Sequence, residues 1–187
     1  MVDPIDGTTN YAHRLPIYSV SMALEHAGQV VVGVVYQPAL DEMFVGQLGW
    51  GARLNNKRIK VSAETRLERS LLVTGFPYDM HDSENDNLEY FRRFMKKAQA
   101  VRRLGSAAID LCYVGCGRFD GFWEMKLSPW DIAAASLIAT EAGARVTTMT
   151  GKPFSIYSGS ILAAPPRLHG AMLQVMGVRD ELNQQLI

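Results

Sequence analysis

The sequence predicts an α/β protein of the α+β kind, with mixed and antiparallel sheets in two lobes, residues 1–65 and 66–187. Three observations predict it. Between residues 17 and 61, short apolar, β-branched runs alternate with Gly, Pro and Asn turns, and loops that short demand antiparallel neighbours. After residue 66, strand-like runs alternate with helical periodicity. At 187 residues the chain can bury a sizeable core. No flexible tether divides the lobes, and no glycine fingerprint for a dinucleotide appears.

The elements follow in order. The chain opens on Asp3-Pro4-Ile5-Asp6-Gly7-Thr8-Thr9-Asn10-Tyr11. Pro4 fixes one φ and lacks a donor, so this stretch is no central strand and reads as a turn. Gly7 allows that turn, and Thr8, Thr9 and Asn10 cap it or a short helix start. Ile17–Leu24 alternates in polarity and reads as a strand. After the His26-Ala27-Gly28-Gln29 turn, Val30–Tyr36 reads as a buried strand. Gln37–Asp41 turns at Pro38, Glu42–Gln47 is a further strand, and a hairpin at Asn55-Asn56 ends in Arg58–Val61. The first lobe is therefore a meander.

Leu71–Thr74 is a short strand broken by Gly75-Phe76-Pro77, and His81–Asn87 is a surface loop. Leu88, Phe91, Phe94 and Met95 recur at helical spacing, which predicts a helix over 85–99. Ser106 caps a small-residue helix, Ala107–Gly115. Phe119–Glu124 is a strand. Ser128 as N-cap, Pro129 at N1 and Asp131 at N3 open a helix that runs to Ala142 and stops at Gly143. Trp130 reads as a packing residue. Arg145–Met149 and Ser160–Ala164 are strands, and Leu168–Met176 is a final short helix.

Composition excludes several classes. Lys plus Arg and Asp plus Glu both number 19, so no basic field argues for nucleic acid and no charge run for a membrane surface. No apolar run reaches transmembrane length, and no signal-peptide core is read. Cys112 and Cys116 lack a zinc or disulfide-framework pattern. They read as two buried thiols in a reducing, cytoplasmic setting. The four histidines show no ligand spacing.

The chemistry concentrates at the start. Asp3 and Asp6 place two carboxylates three residues apart, followed by uncovered backbone N–H groups. Hard oxygen ligands beside such donors describe a place for Mg²⁺ next to a phosphate. The same pattern is also an ordinary surface turn. Ser106 and Asp131 are each explained by helix capping alone, and Glu124 by a solvated strand end. No Ser or Cys nucleophile paired with His is visible, which fits direct attack by water.

Taken whole, Asp3–Tyr11 resembles the signature of the inositol monophosphatase family, Mg²⁺-dependent phosphatases of small polyol and sugar phosphates. Trp130-Asp131-Ile132-Ala133-Ala134-Ala135, running on to Glu141-Ala142-Gly143, is similar to that family's second signature. The resemblance covers essentially the whole chain and the later part of the family's usual length. It implies a layered αβαβα sandwich of the sugar-phosphatase type, here without the N-terminal helices and first strands. It also implies that Asp3, Asp6, Asp131 and the Ile5 carbonyl hold Mg²⁺. Ile5, Gly7, Thr8 and Asp131 then border the phosphate, and the Thr8 hydroxyl positions the attacking water. Gly105, Ser106, Ala107 and Glu124 orient the polyol. Asp3, Asp6, Thr8 and Asp131 form the catalytic set, inositol 1-phosphate is the first substrate, and homodimers are common in the family.

The family's glutamate pair has no counterpart here. A truncated or mis-started chain is therefore expected, with weaker metal occupancy, poorer water activation and an exposed sheet edge. Two other readings stay open. One is an impaired metal- or partner-binding remnant. The other is a related phosphatase acting on fructose 1,6-bisphosphate, phosphoadenosine nucleotides or histidinol phosphate. The short neutral loops offer no evident clamp for a second phosphate or an adenine, which favours a simple monophosphate.

Overall fold

The computed structural model describes residues 1–178; the last nine residues of the expected second lobe, 179–187, lie outside the described residues. Six strands make one antiparallel sheet: β1 (Val2–Asp6), β2 (Ser19–His26), β3 (Gln29–Gln37), β4 (Glu42–Gln47), β5 (Gly51–Leu54) and β6 (Lys57–Arg58). Their spatial order follows the chain, as a meander must. The expected turn at the first acids is corrected to β1, an edge strand. Pro4 is tolerated there because an edge needs no donor on its open side, and a register shift between Asp3 and Asp6 absorbs it. Thr8 and Thr9 do not cap. They begin α1 (Thr8–Ala12) behind Gly7, whose φ of 86° is left-handed, and no side chain caps that helix.

The second sheet has the order β10-β11-β9-β7-β8. Its strands are β7 (Leu71–Thr74), β8 (Ala100–Arg102), β9 (Gly121–Met125), β10 (Arg145–Thr147) and β11 (Ser160–Ala164). β7 runs parallel to both β8 and β9. Several boundaries differ from expectation, each for a local reason. β6 stops at Arg58 because the Val61 N–H turns to the Ala142 carbonyl at 3.0 Å. β10 stops at Thr147 because the Thr148 N–H enters a turn with the Lys152 carbonyl at 3.0 Å. The helix expected over 85–99 contracts to α2 (Leu88–Met95), and β8 occupies part of what read as a connection. Asn87 is no surface residue. It is 3 % exposed, and its amide binds Thr74 Oγ1 at 2.9 Å, the Gly75 carbonyl at 2.6 Å and the Trp123 indole N–H at 2.8 Å. Its φ of 73° then sets where α2 can start.

Helices α3 (Ala107–Gly115) and α4 (Pro129–Glu141) fill the space between the sheets, while α2 and α5 (Pro166–Met176) cover the far side of the second sheet. The core accordingly divides in two. Phe44, Leu111, Ile132 and Ile138 pack between the sheets, and Leu72, Phe94, Trp123 and Leu168 pack beneath the second one. The layers are βαβα among the described residues, one helical layer short of the five-layer sandwich. The first sheet's outer face is therefore uncovered: Val2, Met22, Leu24 and Met43 are exposed, and β3, read as buried, is only half-buried on that side. Trp130 is half exposed too, not packed.

α4 carries Asp131 at its start, so its seat matters to the site. It is apolar on every side and buried from Ile132 to Ala139, which suits a helix held between two sheets. Gly33 and Gly46 are register partners on β3 and β4. A Cβ at Gly33 would lie 2.5 Å from the Ala134 carbonyl oxygen and 2.9 Å from its Cα. Backbone cannot give way there as a side chain can. Gly33→Ala should therefore cost about 2–3 kcal/mol of unfolding free energy, read from a urea midpoint at unchanged slope. An unshifted midpoint would show that α4 is not seated on these glycines.

Candidate active site

Asp6 ends β1 and points at the start of α3. Its Oδ2 accepts from the Ser106 hydroxyl and, at 3.0 Å, from the Ala108 N–H. Ser106 Oγ in turn accepts the Ile109 N–H at 3.3 Å, the capping bond expected of it. One carboxylate thus ties residue 6 to a helix a hundred residues on. Burial drives the Asp6 pKa up, against the pull of those two donors. The charges of Asp3 and Asp131 add to the rise, and the result is about 6.

Asp3 lies before it on β1, where its Oδ1 accepts the Ile5 N–H at 3.0 Å. Asp131, in the first turn of α4, accepts the Ser128 N–H at 2.8 Å. Burial raises its pKa, the Ser128 N–H opposes that, and the Asp3 charge adds to it. Glu124, near the end of β9, is 8 % exposed. Its pKa is pushed up to about 8, first by burial, then by Asp6 and Asp131, with Arg103 opposing. Gly75 makes room for it: a Cβ there would come within 2.1 Å of Glu124 Oε1.

Asp6, Glu124, Asp131 and the Gly105–Ala107 turn line one cavity of about 140 Å³. A larger hollow of about 260 Å³ beside Leu137 and Phe154 holds no carboxylate, so size alone does not mark the chemistry. Asp3 is outside the cavity lining but within electrostatic reach of Asp6 and Asp131. Ile5 is half-buried and Thr8 exposed, and neither lines it. Gly7 packs against the same turn, since a Cβ on it would lie 3.3 Å from the Gly105 carbonyl and 2.9 Å from that of Ile17. Asn10 completes the junction, donating through Nδ2 to the carbonyls of Ile17 at 2.8 Å and Leu104 at 2.7 Å.

The donor set suits a hard divalent cation. Asp3, Asp6 and Asp131 supply only carboxylate oxygens, each spends one oxygen on a protein donor, and all three repel one another. Among the described residues no three acids converge into a closed cluster. Neutralising charge from a cation would relieve that repulsion.

Four contributors escaped the sequence reading: Asn10 as a bridge, Gly75, Arg103 and Asp110. Asp110 is 1 % exposed with Oδ1 lacking any donor, and burial pushes its pKa well up. Arg103 could have been suspected from its place two residues before Gly105. Asp110 sits on a helix that reads as small and apolar, and nothing local marks it.

A sequence profile described as the inositol monophosphatase family matches residues 1–178. The chain belongs to this family. Among family members, it is 43 % identical over 176 residues to an "Inositol-1-monophosphatase" of Mesorhizobium japonicum, covering 94 % of this chain and 66 % of that protein. It is 41 % identical over 186 residues to the Escherichia coli "Nus factor SuhB", covering 100 % of this chain and 69 % of that one. The solved inositol monophosphatase of Anabaena superposes with a TM-score of 0.92 at 44 % identity, over 97 % of this chain and 73 % of that one. The chain spans about two thirds of the length of the curated relatives it matches. The α+β sandwich expected of the family is the fold described above. Among the described residues no helix is long and apolar enough to cross a membrane.

Proposed function

We propose that this chain hydrolyses a small polyol phosphate monoester in the presence of Mg²⁺, with inositol 1-phosphate the first substrate to try. The observation that carries the reading is the shared cavity: acids from β1, β9 and α4 border the Gly105–Ala107 turn in a member of this family. Asp3, Asp6, Asp131 and the Ile5 carbonyl hold the metal. When bound, Mg²⁺ polarises the phosphoryl oxygens, acidifies water and neutralises the leaving alkoxide.

The chain's own groups do the rest. The Gly7 and Thr8 N–H groups receive the phosphate, and the Thr8 hydroxyl orients the attacking water. Ser106 holds Asp6 in place through its hydroxyl. Glu124 binds a polyol hydroxyl, supported from behind by Gly75. Because the water attacks directly, no covalent intermediate on the protein forms.

The test is phosphate release from a panel of esters: inositol 1-phosphate, fructose 1,6-bisphosphate, a phosphoadenosine nucleotide and histidinol phosphate, each with Mg²⁺ or EDTA. Release that needs Mg²⁺ is expected from the polyol ester. Equal release in EDTA would defeat the reading. A second reading, binding of a protein partner without turnover, draws on the Escherichia coli relative's name as a Nus factor and on the uncovered outer face of the first sheet. No release from any ester, together with an intact fold, would favour it.

A further inference from the structure

One wall of the cavity is unexplained by the acids. Arg103, just past the end of β8, is the only cation among the residues lining it. Its guanidinium carbon lies 5.6 Å from the centre of the Phe76 ring, and Phe76 packs edge-on against Phe91 at 5.5 Å. A ring so held offers its face to the cation above it. Glu124 and Asp110 feel the Arg103 charge, yet no described carboxylate makes an ion pair with it; the pairs in the structure join other residues. Among the described residues its side chain makes no hydrogen bond that would occupy its donors. It is exposed to solvent at the cavity.

A guanidinium held over an aromatic ring, with its fork of donors unspent, matches an oxyanion in charge and in its paired donors. The metal-holding acids account for one phosphate. Arg103 stands on the same cavity, whose volume of about 140 Å³ confines both to one small ligand. We infer that Arg103 and Phe76 form a second oxyanion subsite, so that the cavity selects phosphate esters bearing a further anionic group, such as a bisphosphorylated polyol or sugar, over neutral polyol monophosphates. The inference rests on the phosphatase reading and sharpens its substrate class. The short neutral loops offer no evident clamp for a second phosphate, and on this inference none is needed from them. The inferred clamp sits at a strand end, just past β8.

The test uses the whole chain with Mg²⁺ and two uncleavable probes: the phosphonate analogue of inositol 1-phosphate and the bisphosphonate analogue of inositol 1,4-bisphosphate. Titration calorimetry gives both dissociation constants for the unmodified chain, Arg103→Met and Arg103→Lys. At low salt the unmodified chain should bind the bisphosphonate about tenfold tighter. That ratio should fall to near one in Arg103→Met and stay intermediate in Arg103→Lys, which keeps the charge but loses the fork. A ratio near one in the unmodified chain, or an undiminished ratio in Arg103→Met, overturns the subsite. Mg²⁺-dependent binding of the monophosphonate then leaves the phosphatase reading standing. If neither probe binds with Mg²⁺, the phosphatase reading falls and the subsite falls with it.

Discussion

Asp131→Asn is expected to lower Mg²⁺-dependent phosphate release by on the order of 10²–10³-fold while the chain stays folded. The two effects separate because Asp131 does two jobs. Its Oδ2 accepts the Ser128 N–H at the start of α4, and an asparagine carbonyl can take that bond over. Its charge lies beside Asp3 and Asp6, where asparagine leaves one acid fewer for the metal. Removing that charge also removes repulsion, so without metal the variant should melt at or above the parent temperature. The rise in melting temperature that Mg²⁺ gives the parent should vanish. Release that survives the substitution breaks the three-acid proposal. A collapsed melting temperature would instead mean that Asp131 serves α4 alone.

The second large effect concerns acidity. Without metal, the chain should grow more stable as pH falls from about 8 to about 5. The sign follows from the shifts. Glu124 has a folded pKa of about 8 against an ordinary 4.5, and Asp6 one of about 6 against 3.8. Between those limits the folded state binds more protons than the unfolded one, so stability is full below the ordinary values and is lost as pH rises through the folded ones. Asp110, pushed up by burial, acts in the same direction. Glu89, held down to about 2 by Arg92 and Arg93, has the opposite sign but titrates below this window. The slope should approach roughly 1 kcal/mol per pH unit while one such group titrates.

Mg²⁺ competes with those protons, so the stabilisation it gives should be greater at pH 8 than at pH 5. Thermal melts across this range, in EDTA and in Mg²⁺, test both parts. Glu124→Gln should flatten the upper end of the metal-free curve. A metal-free stability that is level, or that rises with pH, would mean these carboxylates ionise as freely in the fold as outside it.

The strands that were read correctly are those whose signal is local. Glu42–Gln47, Leu71–Thr74 and Ser160–Ala164 fall where apolar, β-branched runs put them, and Ala107–Gly115 follows from Ser106 and its small residues. The misreadings share one cause, a distant partner. Asn87 looks like the end of a polar loop until the Trp123 indole and Gly75 carbonyl claim its amide. Ala100–Arg102 shows little strand character of its own and becomes β8 by pairing with β7. Pro4 argues against a strand, yet an open edge accepts it.

By itself the sequence determined the residue types at each turn of the chain: where hard oxygens, small residues and helix starts fall, and the family to which the two signatures point. Those depend on neighbours a few residues away. Only the tertiary structure decided that Asp6 meets Ser106, that Glu124 is wedged over Gly75, and that Arg103 shares a cavity with both acids. The reason is that burial and unlike or like charge set a carboxylate's acidity and a guanidinium's freedom, and both come from segments brought together across some hundred residues of chain.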